Sequence, residues 1–224
     1  MYTRNQLEVA RPTRVFLLVP NLIGYVRIAF TILSFCVASR RPLLCVLLYT
    51  ASFILDAVDG IAARALNQCS RFGGILDMFT DRASTVGFLV MLAGVVQPKP
   101  YIFTLVLAML AFVDVASHFC RMYASLLMQK ESHKDASNSI FFLLRKYYSD
   151  RRLMGALCIG QEFTYLLLYA DHFSQHHPFL HTIMWCLLLP CSILCMVKQV
   201  VNIQQLIDAL YKIACRDAME RARK

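Results

Sequence analysis

The sequence predicts an all-α, polytopic membrane protein with six transmembrane helices and additional interfacial amphipathic helices. Hydrophobic residues make up 58% of its 224 residues and charged residues only 17%, whereas soluble domains carry about 25% charged residues. The apolar residues also form stretches close to the roughly 20 residues that a helix needs to cross a hydrocarbon core. The predicted helices, in chain order, are 21–38, 43–63, 72–96, 101–127, 153–169 and 179–201.

The polar segments around these helices fit one domain that covers residues 1–224. Residues 1–20 carry basic side chains before a short apolar run that ends at Pro20, and this pattern predicts an interfacial segment. Residues 129–152 form the one long polar connection, in which aromatic and apolar residues indicate an ordered loop or interfacial helix. Residues 203–224 repeat apolar side chains at helical spacing, which predicts an amphipathic tail on the cytosolic surface.

The distribution of Lys and Arg predicts the topology. With six spans, one side of the membrane receives both termini and the second and fourth loops, and the other side retains only Arg40, Arg41 and Lys99. This asymmetry places both termini in the cytosol. The net charge of +9 suits anionic headgroups and phosphates, while the absence of a basic module with interleaved aromatic residues disfavours nucleic-acid binding.

Four aspartates at the membrane ends of the second and third helices give the most specific chemical signal. Asp56 and Asp59 are three residues apart and Asp77 and Asp81 four apart, so each pair projects from one helical face. A charged side chain at the centre of a bilayer costs about 2.5–3.5 kcal/mol on insertion scales. We therefore expect the four carboxylates to converge around something cationic, most simply a divalent metal.

The residues around these acids suggest a metal-bridged diphosphate. Gly60 and Ala63 continue the acidic face of the second helix and leave a groove beside it. Arg64 is suited to bidentate contact with phosphate, and Ser70 is placed to cap the third helix and bind an anion there. Asp81 is a candidate to accept a proton from an attacking alcohol.

Other interpretations of the same acids remain open at this point. The carboxylates could be structural and paired with Arg64, Arg71 or Arg82. They could instead line a cation transporter, although such a pathway needs acids across the whole membrane depth and these cluster near one face. A purely structural scaffold would have no use for this motif.

The pattern Asp56-x2-Asp59-Gly60-x2-Ala63-Arg64-x8-Gly73-x3-Asp77-x3-Asp81 resembles the signature of the CDP-alcohol phosphatidyltransferase family. The resemblance extends to the family's eukaryotic inositol-accepting members through residues 19–28, 62–68, 71–73, 76–82, 114–118 and 131–134. It implies six transmembrane helices, frequent dimerisation and a site near the cytosolic membrane face. The implied reaction transfers a phosphatidyl group from CDP-diacylglycerol to myo-inositol by direct attack and releases CMP, in the endoplasmic reticulum membrane.

The resemblance also implies roles for individual residues. Two Mg²⁺ or Mn²⁺ ions would be bound by Asp56, Asp59, Asp77 and Asp81. Asp81 would in addition be the catalytic base. The residues implied as contacts of the CDP-diacylglycerol are Gly60, Arg64 and Ser70.

The acceptor pocket is expected to offer polar groups, because inositol is neutral and rich in hydroxyls. Its candidate residues are Asp114, His118, Lys134 and Arg145. Asp114 and His118 are four residues apart in one predicted helix, so they could simply pair with each other. Glycerol 3-phosphate, serine and inositol phosphate remain alternative acceptors.

Overall fold

A computed structural model describes residues 13–128 and 139–223, and within these ranges the ordered secondary structure is entirely helical. The helices are α1 Thr13–Phe16, α2 Val19–Val37, α3 Pro42–Ala65, α4 Arg71–Val95, α5 Tyr101–Leu127, α6 Phe142–Ser149, α7 Arg151–Ser174 and α8 Pro178–Ala222. Six of them, α2–α5, α7 and α8, are long and apolar enough to cross a membrane. The predicted fold class is therefore confirmed.

The chain divides into two compact units, Met1–Met91 and Leu92–Lys224. In the first unit, proline lies in the first turn of both α2 and α3, where its missing N–H costs no helical hydrogen bond. The turn after α3 contains Asn67 at a positive φ of 53°, a conformation that asparagine tolerates better than most residues. Ser70 then begins α4 by accepting a hydrogen bond from the Gly73 N–H at 2.9 Å.

Helix α2 presents a polar face to the interior of the first unit. Gly24, Arg27, Thr31 and Ser34 are buried at helical spacing along this face. The Thr31 hydroxyl lies 2.9 Å from that of Ser52 on α3 and 3.2 Å from the hydroxyl of Ser84 on α4. These contacts join three apolar helices through small polar groups, a common mode of helix association in membranes.

Aromatic packing joins the same three helices further along α2. The rings of Tyr49 on α3 and Phe88 on α4 lie 4.3 Å apart between centroids, and Phe35 on α2 lies 6.5 Å from each. Gly87 makes room for Phe35, because a Cβ at this position would meet that ring. The positions of the acidic residues on α3 and α4 are thus fixed by both polar and apolar contacts to α2.

Buried ionic and polar groups also hold the second unit together. Arg121 on α5 donates to Asp208 on α8 at 2.9 Å, and Lys212 donates to the same carboxylate oxygen at 2.7 Å. Helix α6 packs Leu144 and Tyr147 against α7 and α8. The prediction of an ordered element within 129–152 is confirmed for α6, while residues 129–138 lie outside the described part of the chain.

The segment predicted as an amphipathic helix after residue 202 is helical up to Ala222, and it continues the last span because α8 runs without a break for 45 residues. On this second half of α8, Asn202, Gln205 and Asp208 are buried, whereas Ile203 and Leu210 are exposed. Polar partners such as Arg121 within the second unit hold the polar face inside. At the other end, α2 already begins at Val19, so the predicted interfacial segment overlaps its first turn.

Candidate active site

The carboxylates of α3 and α4 converge, as their spacing predicts. One oxygen from each of Asp56, Asp59 and Asp77 lies within 4.8 Å of the others. Asp81, one turn beyond Asp77 on α4, joins the cluster through a shared basic partner. Oxygen atoms at these separations suit a hard divalent cation such as Mg²⁺ or Mn²⁺.

The shared partner is Arg27, at the centre of the polar face of α2. Its Nη1 lies 2.7 Å from Asp59 Oδ2 and 2.9 Å from Asp77 Oδ1. Its Nη2 lies 2.6 Å from Asp56 Oδ1 and 2.5 Å from Asp81 Oδ1. Each terminal nitrogen of the guanidinium therefore bridges one carboxylate of α3 and one of α4.

Exposure differs sharply between the arginine and its partners. The Arg27 side chain is 3% exposed, whereas those of Asp56, Asp77 and Asp81 are 34%, 40% and 31% exposed. Each carboxylate uses one oxygen to contact Arg27, and an ionised carboxylate has a second oxygen that can accept another ligand. The cluster thus combines a buried guanidinium with carboxylates that a ligand can reach.

Arg27 is not among the ionic partners that the sequence predicts. Those partners are Arg64, Arg71 and Arg82, which are close to the acids along the chain. Of these, Arg82 lies 3.7 Å from the second oxygen of Asp81. A signal was present, since Arg27 is the one charged residue within α2, and an intramembrane cation is expected to face acidic partners.

A cavity of about 180 Å³ lies beside the carboxylates within the first unit. Asp59 and Asp77 form part of its wall, and the residues that border it elsewhere include Asn21, Gly60, Ala63, Ser70 and Gly73. The expected groove of small residues is therefore present next to the acids. Both carboxylates and small, hydrogen-bonding groups are accessible from the same space.

Of the glycines that border this cavity, Gly73 allows a close approach of neighbouring side chains. A Cβ on Gly73 would lie 2.8 Å from Asn21 Oδ1 and 3.1 Å from Ser70 Oγ. At Gly60, the nearest atom to such a Cβ would be Nη1 of Arg64, at 3.4 Å. The Arg64 guanidinium is therefore folded back along α3 beside Gly60, at the cavity. Ser70 caps α4, as expected, through its bond from the Gly73 N–H.

Two amide side chains fix the start of α2 to this region. Asn21 Nδ2 donates to the Val15 carbonyl at 2.5 Å, and the Val19 N–H donates to Gln68 Oε1 at 2.9 Å. The first contact holds the turn before α2, and the second joins that turn to the segment between α3 and α4. Neither residue was singled out from the sequence for such a role.

The acceptor candidates lie in the second unit. His118 Nδ1 is 2.8 Å from the backbone carbonyl of Asp114 and 3.9 Å from its carboxylate, so these two residues do pair along α5. Arg145, on α6, donates to the Ser139 carbonyl at 2.6 Å. Lys134 lies outside the described residues.

Comparisons with known proteins place the chain among the members of one family. The sequence profile of the CDP-alcohol phosphatidyltransferase family matches residues 17–144. The human CDP-diacylglycerol–inositol 3-phosphatidyltransferase is 41% identical, over 94% of this chain and 97% of its own. The protein of the same name from Candida albicans is 37% identical, over 94% of this chain and 87% of its own. No solved structure matches the chain.

Proposed function

The chain belongs to the CDP-alcohol phosphatidyltransferase family, and we propose that it transfers a phosphatidyl group from CDP-diacylglycerol to myo-inositol, with release of CMP. The names of its curated relatives support both the donor and the acceptor. The observation that carries the proposal is the convergence of carboxylates from α3 and α4 beside a cavity lined by small residues. It is an integral membrane enzyme with six apolar spans.

Asp56, Asp59, Asp77 and Asp81 are the proposed ligands of two Mg²⁺ or Mn²⁺ ions. The donor set fits, because all four groups are carboxylates and three of them bring oxygens within 4.8 Å of one another. Four carboxylates and the Arg27 guanidinium leave a formal charge of −3 on the protein groups, which divalent cations would offset. When bound, such ions neutralise a diphosphate and stabilise the departing nucleotide.

The cavity beside the acids is the proposed site of the cytidine diphosphate head. Gly60 and Ala63 line it with very small side chains, so a nucleotide base or a phosphate chain can approach the backbone of α3. Arg64 lies beside Gly60 and can contact phosphate oxygens. Ser70, which borders the cavity at the start of α4, is the third proposed contact of the CDP-diacylglycerol.

Asp81 is the proposed general base for direct attack. An inositol hydroxyl oxygen forms a bond to the phosphorus that bears diacylglycerol, the bond from that phosphorus to the CMP oxygen breaks, and Asp81 takes the hydroxyl proton. One of its oxygens contacts Arg27 and the other lies 3.7 Å from Arg82. Exchange of CMP with CDP-diacylglycerol through a stable lipid–enzyme adduct, without acceptor, would contradict direct attack.

The acceptor pocket is proposed to include Asp114, His118, Lys134 and Arg145. Asp114 and Ser117 are buried on α5 together with the partly buried His118, which supplies polar groups in an otherwise apolar helix. Inositol is preferred over glycerol 3-phosphate, serine or inositol phosphate because the relatives are named for it. We further propose a homodimer in the endoplasmic reticulum membrane, with both termini and the active site facing the cytosol.

The test is an acceptor panel with the purified protein in detergent. With CDP-diacylglycerol and Mg²⁺ or Mn²⁺, we expect labelled myo-inositol to enter lipid and CMP to appear in equal amount. Asp81→Asn should lower kcat strongly, since the base is lost, while Asp217→Asn on the exposed surface of α8 should leave it unchanged. Transfer to another acceptor in preference to inositol would overturn the assignment, and ion flux in liposomes without CMP release would favour a transporter.

A further inference from the structure

The guanidinium of Arg27 connects all four signature carboxylates in a fixed geometry. Its Nη1 bridges Asp59 and Asp77, and its Nη2 bridges Asp56 and Asp81. Because the guanidinium is planar and rigid, these two bridges hold the acids of α3 and α4 at a set separation. A lysine ammonium in the same place would be a single point of charge and could not form two separate bridges.

The position of Arg27 is itself fixed from its backbone. The Ser52 hydroxyl on α3 donates to the Arg27 carbonyl at 3.0 Å and also lies 2.9 Å from the Thr31 hydroxyl. One turn before Arg27, Gly24 brings α2 close to Leu76 on α4. With its side chain only 3% exposed, the arginine lies beneath the carboxylates and away from the space that a substrate would enter.

Four carboxylates this close would otherwise repel one another and move apart. At i, i+3 and i, i+4 spacing, like charges destabilise a helix, and here two such pairs face each other across α3 and α4. Arg27 offsets one of the four charges while it contacts only one oxygen of each carboxylate. The second oxygens are therefore held in a defined arrangement, which is what a metal site needs from its supporting residues.

We propose that Arg27 is a positioning residue that sets the spacing of the four carboxylates for divalent metal binding. This inference rests on the proposed function and adds a residue that the signature motif does not contain. It assigns the effect to the forked geometry of the guanidinium rather than to its charge alone. Arg27→Lys, which keeps the charge and loses the fork, and Arg27→Gln, which loses both, separate these two contributions.

The direct measurement is Mn²⁺ uptake by the purified protein in detergent, without substrates, followed by the electron paramagnetic resonance signal of free Mn²⁺. Loss of a residue that orients metal ligands typically weakens metal affinity by about 10–100-fold. We therefore expect half-saturation of both Arg27 variants to move to Mn²⁺ concentrations at least about tenfold higher. The Mn²⁺ concentration for half-maximal activity should rise in parallel.

Arg121→Met is the matched control, because it removes a buried arginine in the second unit and touches neither Arg27 nor the four carboxylates. It breaks the salt bridge to Asp208, so it should lower the unfolding temperature and leave Mn²⁺ half-saturation unchanged. If Arg27 had only a structural role, its variants would likewise unfold at a lower temperature and keep wild-type Mn²⁺ half-saturation. If both Arg27 variants fail to fold while Arg121→Met folds, the arginine is needed for the fold and the inference is overturned.

Two further outcomes would also overturn it. Wild-type Mn²⁺ affinity in Arg27→Lys would assign the effect to charge alone, and tighter binding by Arg27→Gln would mean that the arginine only repels cations. Failure of the proposed function gives a different result. In that case the wild-type protein and Asp59→Asn would take up Mn²⁺ equally poorly, and the metal site itself would be lost together with the inference.

Discussion

Gly73 and Gly74 are neighbours on α4 that should respond in opposite ways to the same substitution. A Cβ on Gly73 would lie 2.8 Å from Asn21 Oδ1 and 3.1 Å from Ser70 Oγ, whereas a Cβ on Gly74 would meet nothing within 4 Å. Replacing glycine by alanine inside a helix normally stabilises it by about 1 kcal/mol. Gly74→Ala should show this gain, because the added methyl enters open space.

Gly73→Ala adds the same helical preference but forces neighbouring atoms to move. Overpacking by one methyl costs typically about 1–3 kcal/mol, so the net change in the free energy of unfolding should be a loss of roughly 0–2 kcal/mol. The atoms that must shift belong to Asn21, which holds the Val15 carbonyl, and to Ser70, which caps α4. We therefore also expect a higher KM for CDP-diacylglycerol in Gly73→Ala.

Thermal unfolding in detergent can be followed with a maleimide dye that reacts with buried thiols as they become exposed. Cys45 and Cys195 are buried thiols, one in each unit. The two alanine variants should differ by about 1–3 kcal/mol, with Gly73→Ala the less stable. Equal unfolding temperatures would refute the close approach between α4 and Asn21 on which this reasoning depends.

Three other predictions concern the cap of α4, a buried ion pair and the divalent metal. Ser70→Ala should lower stability by about 0.5–2 kcal/mol through the lost helix cap, measured by the same unfolding assay, and Ser70→Thr should restore most of it. Arg121→Met should cost about 1.5–3 kcal/mol, because Asp208 loses the 2.9 Å contact with Arg121 and keeps the 2.7 Å contact with Lys212; a loss below 1 kcal/mol would contradict this. Chelation with EDTA should stop CMP release and added Mn²⁺ should restore it, whereas full activity in EDTA would exclude a role for the carboxylates in metal binding.

The predicted helices and the acidic cluster follow from local patterns in the sequence. Long apolar stretches identify the spans, and the spacing of Asp56, Asp59, Asp77 and Asp81 places them on facing surfaces of two helices. The end of α8 could not be found in this way. The pattern changes from uniformly apolar to amphipathic near residue 202, but no helix-breaking residue lies there, so the helix continues.

The role of Arg27 depends on contacts that are distant in sequence. Its hydrogen bonds reach Asp59, Asp77 and Asp81 across 32, 50 and 54 residues. A local sequence pattern relates an acid only to basic residues within a few turns of the same helix. The burial of polar residues on α8 has a similar origin. Burial of Asn202, Gln205 and Asp208 depends on partners from other helices, which periodicity along α8 does not reveal.

The length of α8 has a practical consequence for shortened forms of the enzyme. At 1.5 Å per residue, a 45-residue helix is about 68 Å long, more than twice the roughly 30 Å of a bilayer's hydrocarbon layer. Its second half nevertheless supplies Asp208, the carboxylate that neutralises Arg121. Deleting everything after residue 202 would thus remove the buried counter-ion of Arg121. An affinity tag should therefore be added after residue 224 and should not replace this segment.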